Sequence, residues 1–237
     1  MIKEVIFDID DTLYDYEIGH AAGMDNMAAY AETELGIPAA EFEAEYKRKN
    51  EEMKARIGTD DATTHSRSIR LQNMLEDWGK PIFPHLDRLY ALYWNTLLDV
   101  SQPEPGSIEA LRELRELGIT IGIGTDMTAR MQYEKLKKFG FAPYVNHIVT
   151  SQEAAHEKPH PEFMALCIKK AGCKPEEIVF VGDTFKKDVV GSARAGMHPV
   201  WYRAKEKKLP EHPELSPEEY HIIRHFEELV PYIKSIR

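Results

Sequence analysis

Cysteine is scarce in this chain of 237 residues, occurring only as Cys167 and Cys173. No further cysteine, and no cysteine–histidine set with the spacing of a zinc site, accompanies the pair. The pair therefore does not indicate a disulfide framework or a structural zinc centre. We interpret the two residues as reduced thiols, as is typical of a cytoplasmic protein.

The chain also lacks an excess of basic residues and any long apolar run. It has 30 Lys and Arg against 40 Asp and Glu, a formal net charge of -10. Nucleic-acid polymers and anionic membranes bind clustered Lys and Arg, so neither is expected as a partner. No apolar run approaches the roughly 20 residues that cross a bilayer, and the N-terminal stretch KEVIFDID does not have the pattern of a signal peptide. We expect a cytoplasmic monomer or homodimer acting on a small molecule.

Short apolar runs rich in β-branched residues indicate the fold. Continuous rather than alternating apolar residues are typical of strands covered on both faces, as in a parallel sheet. Helix-like segments ending in glycine separate the later runs, which predicts β-α-β units. The sequence therefore predicts an α/β fold with a Rossmann-like parallel sheet. The predicted strands lie near 5–8, 120–126, 147–151, 178–183 and 199–202.

A long segment after the first strand interrupts this alternation. Residues 16–100 contain no convincing strand, and four stretches read as amphipathic helices. We predict an all-helical domain over 16–100, inserted into a core formed by 1–15 and 101–237. Aromatic residues there, such as Tyr93 and Trp94, are interpreted as packing between helices.

Polar residues gather where the predicted strands end. The carboxyl ends of parallel strands share one edge of the sheet, where ligands bind. A helix N-cap would explain a single Asp or Thr at such a position, but it does not require adjacent aspartates or a lysine among them. The residues concerned are Asp8 and Asp10 after the first strand, Thr125 and Asp126 after the second, Lys158 after the third, and Asp183 and Asp188 after the fourth.

Carboxylates this close repel one another, and a bound cation removes the repulsion. Mg²⁺ takes one or two carboxylates together with water and phosphate oxygens, and Lys158 adds a contact for an anionic substrate. A carboxylate can attack phosphorus, and a second can act as general acid and base. A phosphate ester is thus the substrate class that fits these residues.

The stretch FDIDDTL at 7–13 resembles the first motif of the haloacid dehalogenase-like hydrolase superfamily, aspartate-x-aspartate-x-threonine after an apolar strand. The other motifs follow in order: Thr125 after TIGIG, Lys158 in EKPHPEF, and GDTFKKD at 182–188. The resemblance covers residues 1–14 and about 103–202. The helical insert resembles the family's cap domain, which closes over the site in the phosphatase branch.

The resemblance implies a phosphomonoesterase that forms an aspartyl-phosphate. It makes Asp8 the nucleophile and Asp10 the general acid and base. Asp126 stands where the family commonly has asparagine, and an ionised aspartate cannot donate a hydrogen bond to phosphate. The remaining implied roles are Mg²⁺ binding by Asp8, the Asp10 backbone carbonyl and Asp183, support from Asp188 behind these ligands, and phosphate binding by Thr125, Asp126 and Lys158.

Three alternatives accompany this interpretation. A 2-haloacid dehalogenase would use the same nucleophile, but the resemblance implies that such enzymes lack the second aspartate of the first motif. A non-catalytic binding or regulatory module and a dinucleotide-binding domain are the others, and the glycine fingerprint of the latter is incomplete. The substrate is left open among a sugar phosphate, phosphoglycolate and a nucleoside monophosphate. The insert residues that could contact the leaving group, if they are not simply solvated, are Arg56, His65, Arg67 and Arg70.

Overall fold

The computed structural model describes residues 1–204 and 214–236, and the chain divides into two compact units. The first, which we call the sheet unit, comprises Met1–Tyr14 and Gln102–Arg237. The second, the helical unit, comprises Asp15–Ser101. No helix among the described residues combines the length and apolarity needed to cross a membrane.

The sheet unit is built on six parallel strands in the order β3-β2-β1-β4-β5-β6. Every residue of β1 and of β4 is buried, as expected for strands covered on both faces. The predicted α/β fold is confirmed, and each predicted strand is present. The sixth strand was not predicted because three residues do not form a recognisable pattern. The strands are β1 (Glu4–Phe7), β2 (Thr120–Thr125), β3 (His147–Thr150), β4 (Ile178–Gly182), β5 (His198–Tyr202) and β6 (His221–Ile223).

Four helices form the helical unit. Asp15 caps the first by accepting hydrogen bonds from the amides of Glu17 and Ile18. Gly23 lets the first helix approach the fourth closely, since a Cβ at this position would lie 2.9 Å from the Tyr93 ring. On the fourth helix, Tyr93 and Trp94 are buried, as the packing interpretation requires. The helices are α1 (Tyr16–Tyr30), continued by a π-helical turn (Ala31–Leu35), α2 (Ala39–Ile57), α3 (Arg67–Asp77), preceded by a 3-10 turn (Ala62–His65), and α4 (His85–Val100).

The helices of the sheet unit connect its strands. In α5, Ala110, Leu111 and Leu114 recur at helical spacing and are buried. Cys167 on α8 is buried and Cys173 half-buried, and both are free thiols. The helices are α5 (Ser107–Glu116), α6 (Ala129–Lys138), α7 (Ser151–Ala154), α8 (Pro161–Ala171), α9 (Gly191–Arg194), preceded by a π-helical segment (Phe185–Val190), and α10 (Leu229–Ser235), with 3-10 turns at Ala142–Tyr144, Pro175–Glu177, Pro217–Glu219 and Phe226–Glu228.

Candidate active site

Two aspartates follow neighbouring strands at the carboxyl edge of the sheet. Asp8 comes directly after β1 and Asp183 directly after β4, and the register places Phe7 opposite Val181. The Asp8 amide donates to the Val181 carbonyl at 2.9 Å, which continues the pairing into the turn. The strand order reverses between β1 and β4, and open α/β sheets bind their ligands at such a switch point.

Lys158 lies between two carboxylates. Its Nζ is 2.8 Å from Asp8 Oδ1 and 2.8 Å from Asp188 Oδ1, and its side chain is almost completely buried. Burial alone would lower the pKa of this ammonium group. The charges of Asp188 and Asp8 outweigh that effect and hold its pKa well above the ordinary value. Lys158 therefore stays charged at neutral pH and can serve as a fixed contact for an anion.

Asp8 is only 7% exposed. Its burial raises its pKa to about 7, Lys158 opposes the shift, and the charges of Asp188 and Asp10 add to it. The protein alone therefore compensates the charge of Asp8 incompletely. A further cation close to Asp8 would favour the ionised form, the form in which a carboxylate acts as a nucleophile.

Three carboxylates can be tested for their fit to a metal ion. Oxygen atoms of Asp8, Asp183 and Asp188 lie within 4.8 Å of one another, and all three residues are buried. Hard oxygen ligands carrying surplus negative charge suit Mg²⁺. Asp188 uses both oxygens within the protein, one for Lys158 and one for the Thr184 amide at 2.8 Å. It is therefore better placed to hold Lys158 than to bind the metal directly.

The position of Asp188 depends on Gly182, the last residue of β4. A Cβ at position 182 would lie 2.3 Å from Asp188 Cγ, which is closer than real atoms come. Asp188 belongs to the π-helical segment, and its carbonyl accepts a hydrogen bond from Ser192 Oγ at 2.5 Å. Within the GDTFKKD motif, the Asp188 side chain thus occupies the space that a Cβ at position 182 would need, and only glycine leaves room for it.

Asp10 is surrounded by donors. Lys135 Nζ lies 2.6 and 2.9 Å from its two carboxylate oxygens, Gln132 Nε2 donates at 3.2 Å, and the Tyr14 hydroxyl also donates to it. Burial would raise the pKa of Asp10. The Lys135 charge and the hydrogen bonds from Lys135, Tyr14 and Gln132 outweigh burial and hold its pKa below the ordinary range. Asp10 is therefore ionised in this structure.

Three of the residues around Asp10 were not predicted from the sequence, namely Gln132, Lys135 and Tyr14. In α6, Gln132 and Lys135 share the buried face of the helix with Met131 and Leu136. Their helical spacing from these apolar residues is the feature of the sequence that could have identified them. A lysine at helical spacing from buried apolar residues requires an anionic partner in the core.

Thr125 is the last residue of β2, which lies beside β1, and Asp126 follows it. Thr125 Oγ1 accepts a hydrogen bond from Gln132 Nε2 at 2.7 Å. One Asp126 oxygen accepts the Lys158 amide at 2.9 Å, and the other lies 2.7 Å from Lys187 Nζ. Asp126 thus fixes the backbone of Lys158, a role that an aspartate performs as well as an asparagine. Its direct contact with phosphate stays a prediction, as does that of Thr125.

The insert residues considered as leaving-group contacts differ in burial. Arg56 is exposed and His65 half-buried. Arg67 and Arg70 are 7% and 6% exposed, so a solvated helix surface does not describe them.

Sequence comparisons identify relatives across most of the chain. A family model described as haloacid dehalogenase-like hydrolase matches residues 2–196. The glyceraldehyde 3-phosphate phosphatase of Methanopyrus kandleri is 35% identical over 205 residues, covering 86% of this chain and 84% of that protein. The ribulose-1,5-bisphosphate 5-phosphatase of Halopiger xanaduensis is 31% identical and covers 87% of both chains.

Solved structures show the same fold. The HAD phosphatase of Thermococcus onnurineus has a TM-score of 0.74 and 25% identity over 98% of each chain. A 2-haloacid dehalogenase of Pseudomonas syringae has a TM-score of 0.82 over 100% of both chains, but at 20% identity this likeness shows the fold alone. The relatives that share about a third of their residues with this chain are phosphatases, which supports a phosphatase over a dehalogenase, a binding module or a dinucleotide-binding domain. The chain belongs to the haloacid dehalogenase-like hydrolase family and is an enzyme of its phosphatase branch.

Proposed function

We propose that the protein is a Mg²⁺-dependent phosphomonoesterase that hydrolyses a small sugar phosphate through an aspartyl-phosphate on Asp8. The observation that carries the proposal is the buried Asp8 carboxylate at the switch point, 2.8 Å from the buried Lys158 ammonium and close to Asp183. The relatives from Methanopyrus kandleri and Halopiger xanaduensis are named for phosphorylated sugars, which favours that substrate class.

In the first half-reaction, an Asp8 oxygen attacks phosphorus and the bond from phosphorus to the ester oxygen breaks. The leaving oxygen takes a proton from Asp10, and the phosphoryl group remains on Asp8. Lys135 favours the ionised form of Asp10. The first step therefore requires that substrate binding weakens the Lys135 contact or brings the proton with it.

In the second half-reaction, Asp10 takes a proton from water and the oxygen of that water attacks phosphorus. The bond between phosphorus and the Asp8 oxygen breaks, which releases inorganic phosphate and regenerates the carboxylate. The low pKa of Asp10 suits this step, since the ionised form is the one that accepts a proton.

Charge on the transferring phosphoryl group needs compensation in both steps. Lys158 supplies a fixed positive charge, and the Thr125 hydroxyl a hydrogen bond. Asp8, Asp183 and the backbone carbonyl of Asp10 would hold Mg²⁺, which when bound would add positive charge at the phosphoryl oxygens. Asp188 would keep Lys158 in place.

We further propose that the helical unit is the cap domain of a cytoplasmic enzyme. In this family branch a cap excludes water and contacts the leaving group. Specificity among sugar phosphates, phosphoglycolate and nucleoside monophosphates would then depend on side chains of the helical unit.

Turnover of p-nitrophenyl phosphate tests the chemistry. We expect activity with Mg²⁺, its loss in excess EDTA, and its recovery when Mg²⁺ is restored. Asp8→Asn should lower kcat by several orders of magnitude because an amide is a poor nucleophile. The matched control is Asp87→Asn, which changes an exposed aspartate of α4 and should leave kcat unchanged.

Undiminished turnover in EDTA would overturn the metal requirement. Near-normal turnover by folded Asp8→Asn would overturn the mechanism. A panel of phosphorylated sugars, phosphoglycolate and nucleoside monophosphates then ranks substrates by kcat/KM, and the sugar phosphates should rank first.

A further inference from the structure

The helical unit contains a cavity of about 510 Å³ that the proposed chemistry does not use. Residues of α1, α2, α3 and the 3-10 turn before α3 line it. A cavity of this size accommodates a small metabolite. Its lining includes Arg67 and Arg70, which lie one turn apart on α3.

The Arg67 guanidinium is held by phenols. Its Nη2 donates at 2.6 Å to the Tyr16 hydroxyl and at 2.6 Å to the Tyr93 hydroxyl. Its Cζ lies 4.1 Å from the centre of the Tyr93 ring and 4.5 Å from that of Trp94. These contacts orient the cation, but each partner is neutral.

Arg70 has neutral partners as well. Its Nη2 donates to Asn50 Oδ1 at 2.6 Å and to the Thr64 carbonyl at 3.0 Å, and its Cζ lies 4.6 Å from the Tyr46 ring centre. Over residues 1–204 and 214–236, Arg70 forms no ion pair with a carboxylate, and neither does Arg67. Buried arginines are normally paired, because an isolated charge is costly to remove from water.

Each guanidinium also has a donor to spare. The Nε–H groups of Arg67 and Arg70 are buried and have no hydrogen-bond partner within the described parts of the chain. An unsatisfied buried donor on a cation is a larger cost than one on a neutral group. An anion in the cavity would supply the missing counter-charge, since the planar guanidinium matches the geometry of phosphate and carboxylate oxygens.

His20 on α1 reports the same positive potential. Its Nδ1 lies 2.7 Å from the Tyr93 hydroxyl, which also accepts from Arg67. Burial first, and then the charges of Arg67 and Arg70, lower the pKa of His20 to about 4. The imidazole is therefore neutral at physiological pH, and the cavity charge comes from the arginines.

The other charged residues of the lining do not cancel the two arginines. Lys47 is exposed, and Lys54 is paired with Glu51 at 2.8 Å. Asp25 is exposed and Glu43 half-buried, and neither forms an ion pair with an arginine of the cavity.

We propose that this cavity is an anion-binding site, in which Arg67 and Arg70 bind a phosphate or carboxylate group of a small ligand. The anion has two conceivable sources. In the first case it is a second anionic group on the leaving group of the substrate. This case rests on the proposed phosphatase function and makes a bisphosphate the preferred substrate class. In the second case it is a separate anion that binds without being turned over.

Binding is measured by NMR on the wild-type protein in EDTA. The signals followed are those of the His20 imidazole ring, which are assigned by their absence in His20→Gln. Inorganic phosphate is the probe, at pH 7. The His20 signals should shift on saturation, because they report the cavity and not the carboxylates of the sheet unit. Arg70→Gln should weaken this binding about 10- to 100-fold, the usual range for hydrogen bonds to a charged group. Arg88→Gln, which removes an exposed arginine of α4 outside the lining, is the matched control and should bind as the wild type does.

Substrate preference separates the two sources. The bisphosphates of ethane-, butane- and hexanediol are compared with the matching alkyl monophosphates by kcat/KM. If the anion belongs to the substrate, at least one bisphosphate is preferred about tenfold or more, and Arg70→Gln removes this preference whereas Arg88→Gln keeps it. If the anion is separate, phosphate still shifts the His20 signals but no bisphosphate is preferred.

His20 signals that do not respond to phosphate or to any of the bisphosphates would overturn the anion site, and this measurement needs no variant to fold. An equal response in Arg70→Gln would overturn the role of the arginine. A protein without phosphatase activity whose His20 signals respond to phosphate would refute the proposed function but support the anion site.

Discussion

The contact between Asp10 and Lys135 predicts that a substitution aimed at catalysis also destabilises the fold. Lys135 is completely buried and Asp10 is 28% exposed, with 2.6 and 2.9 Å between the ammonium and the two oxygens. Asp10→Asn keeps an oxygen that accepts from Lys135 but removes the opposite charge. The variant therefore leaves an ammonium group in the core without its counter-ion.

The expected loss of unfolding free energy can be calculated from the distance between the two charges. At an effective dielectric constant of about 20, opposite charges about 3 Å apart attract by about 5 kcal/mol. The hydrogen bond kept by the asparagine returns about 2 kcal/mol. Asp10→Asn should thus lower the free energy of unfolding by about 3 kcal/mol, at the low end of the range for broken buried pairs. Lys135→Met should cost less, about 1–2 kcal/mol, because Asp10 keeps Tyr14, Gln132 and some water.

The double variant Asp10→Asn with Lys135→Met removes both charges and should be more stable than Asp10→Asn alone, with a coupling energy of about 2–3 kcal/mol. Urea unfolding in EDTA, followed by circular dichroism, measures all four proteins. Lys137→Met is the control, since Lys137 lies on the same helix and is 61% exposed. If Asp10→Asn lies within about 0.5 kcal/mol of the wild type, or if the two effects simply add, the buried ion pair does not stabilise the fold as argued.

The remaining predictions concern single residues. Gly182→Ala should displace Asp188, cost about 1–3 kcal/mol by overpacking, and reduce activity in the protein that still folds; urea midpoints and p-nitrophenyl phosphate turnover measure both, and an unaffected variant would contradict this steric clash. The pKa of His20 is about 4 in the folded chain against 6.5 in the reference state, so the unfolded chain binds more protons between these values and stability falls as the pH drops through that window. His20→Gln should therefore lose about 1–2 kcal/mol less than the wild type between pH 7 and pH 4, a figure discounted for partial exposure and checked by urea unfolding at both pH values; equal losses would refute it. Asp11 has a φ of 56°, so Asp11→Gly should be tolerated, whereas Asp11→Val should cost about 1–2 kcal/mol in thermal unfolding, and equal melting temperatures would count against a constrained turn.

The functional residues at the strand ends could be predicted from the sequence because they follow the apolar runs that predict the strands. A buried run such as VIF is followed at once by Asp8, so the pattern that predicts the strand also predicts where its end lies. Lys135 and Gln132 could not be predicted in this way. They come from a lysine-rich helix, and only the packing of α6 shows which lysine faces Asp10.

The same distinction applies to the helical unit. The periodicity of α3 predicted a helix, but it did not show that Arg67 and Arg70 lie in the interior among phenol rings. Arginine at helical spacing is ordinarily a surface residue, so its burial depends on partners from α1, α2 and α4 that sequence spacing does not reveal. Local sequence patterns therefore do not predict which buried charged residues pair with partners that are distant in the sequence.

The place of β1 in the sheet affects the order in which the chain can fold. Its neighbours are Thr120–Thr125 and Ile178–Gly182, and the whole helical unit is synthesised before either of them. A ribosome that has reached residue 101 has made the complete helical unit but no partner for the first strand. Pairing that depends on such distant segments is slow, and an unpaired apolar strand is prone to aggregate. The segment bearing Asp8 thus has no partner strand until residues 120–125 of the 237 have been synthesised, and a chain truncated before β4 would lack the pairing on the other side of this strand.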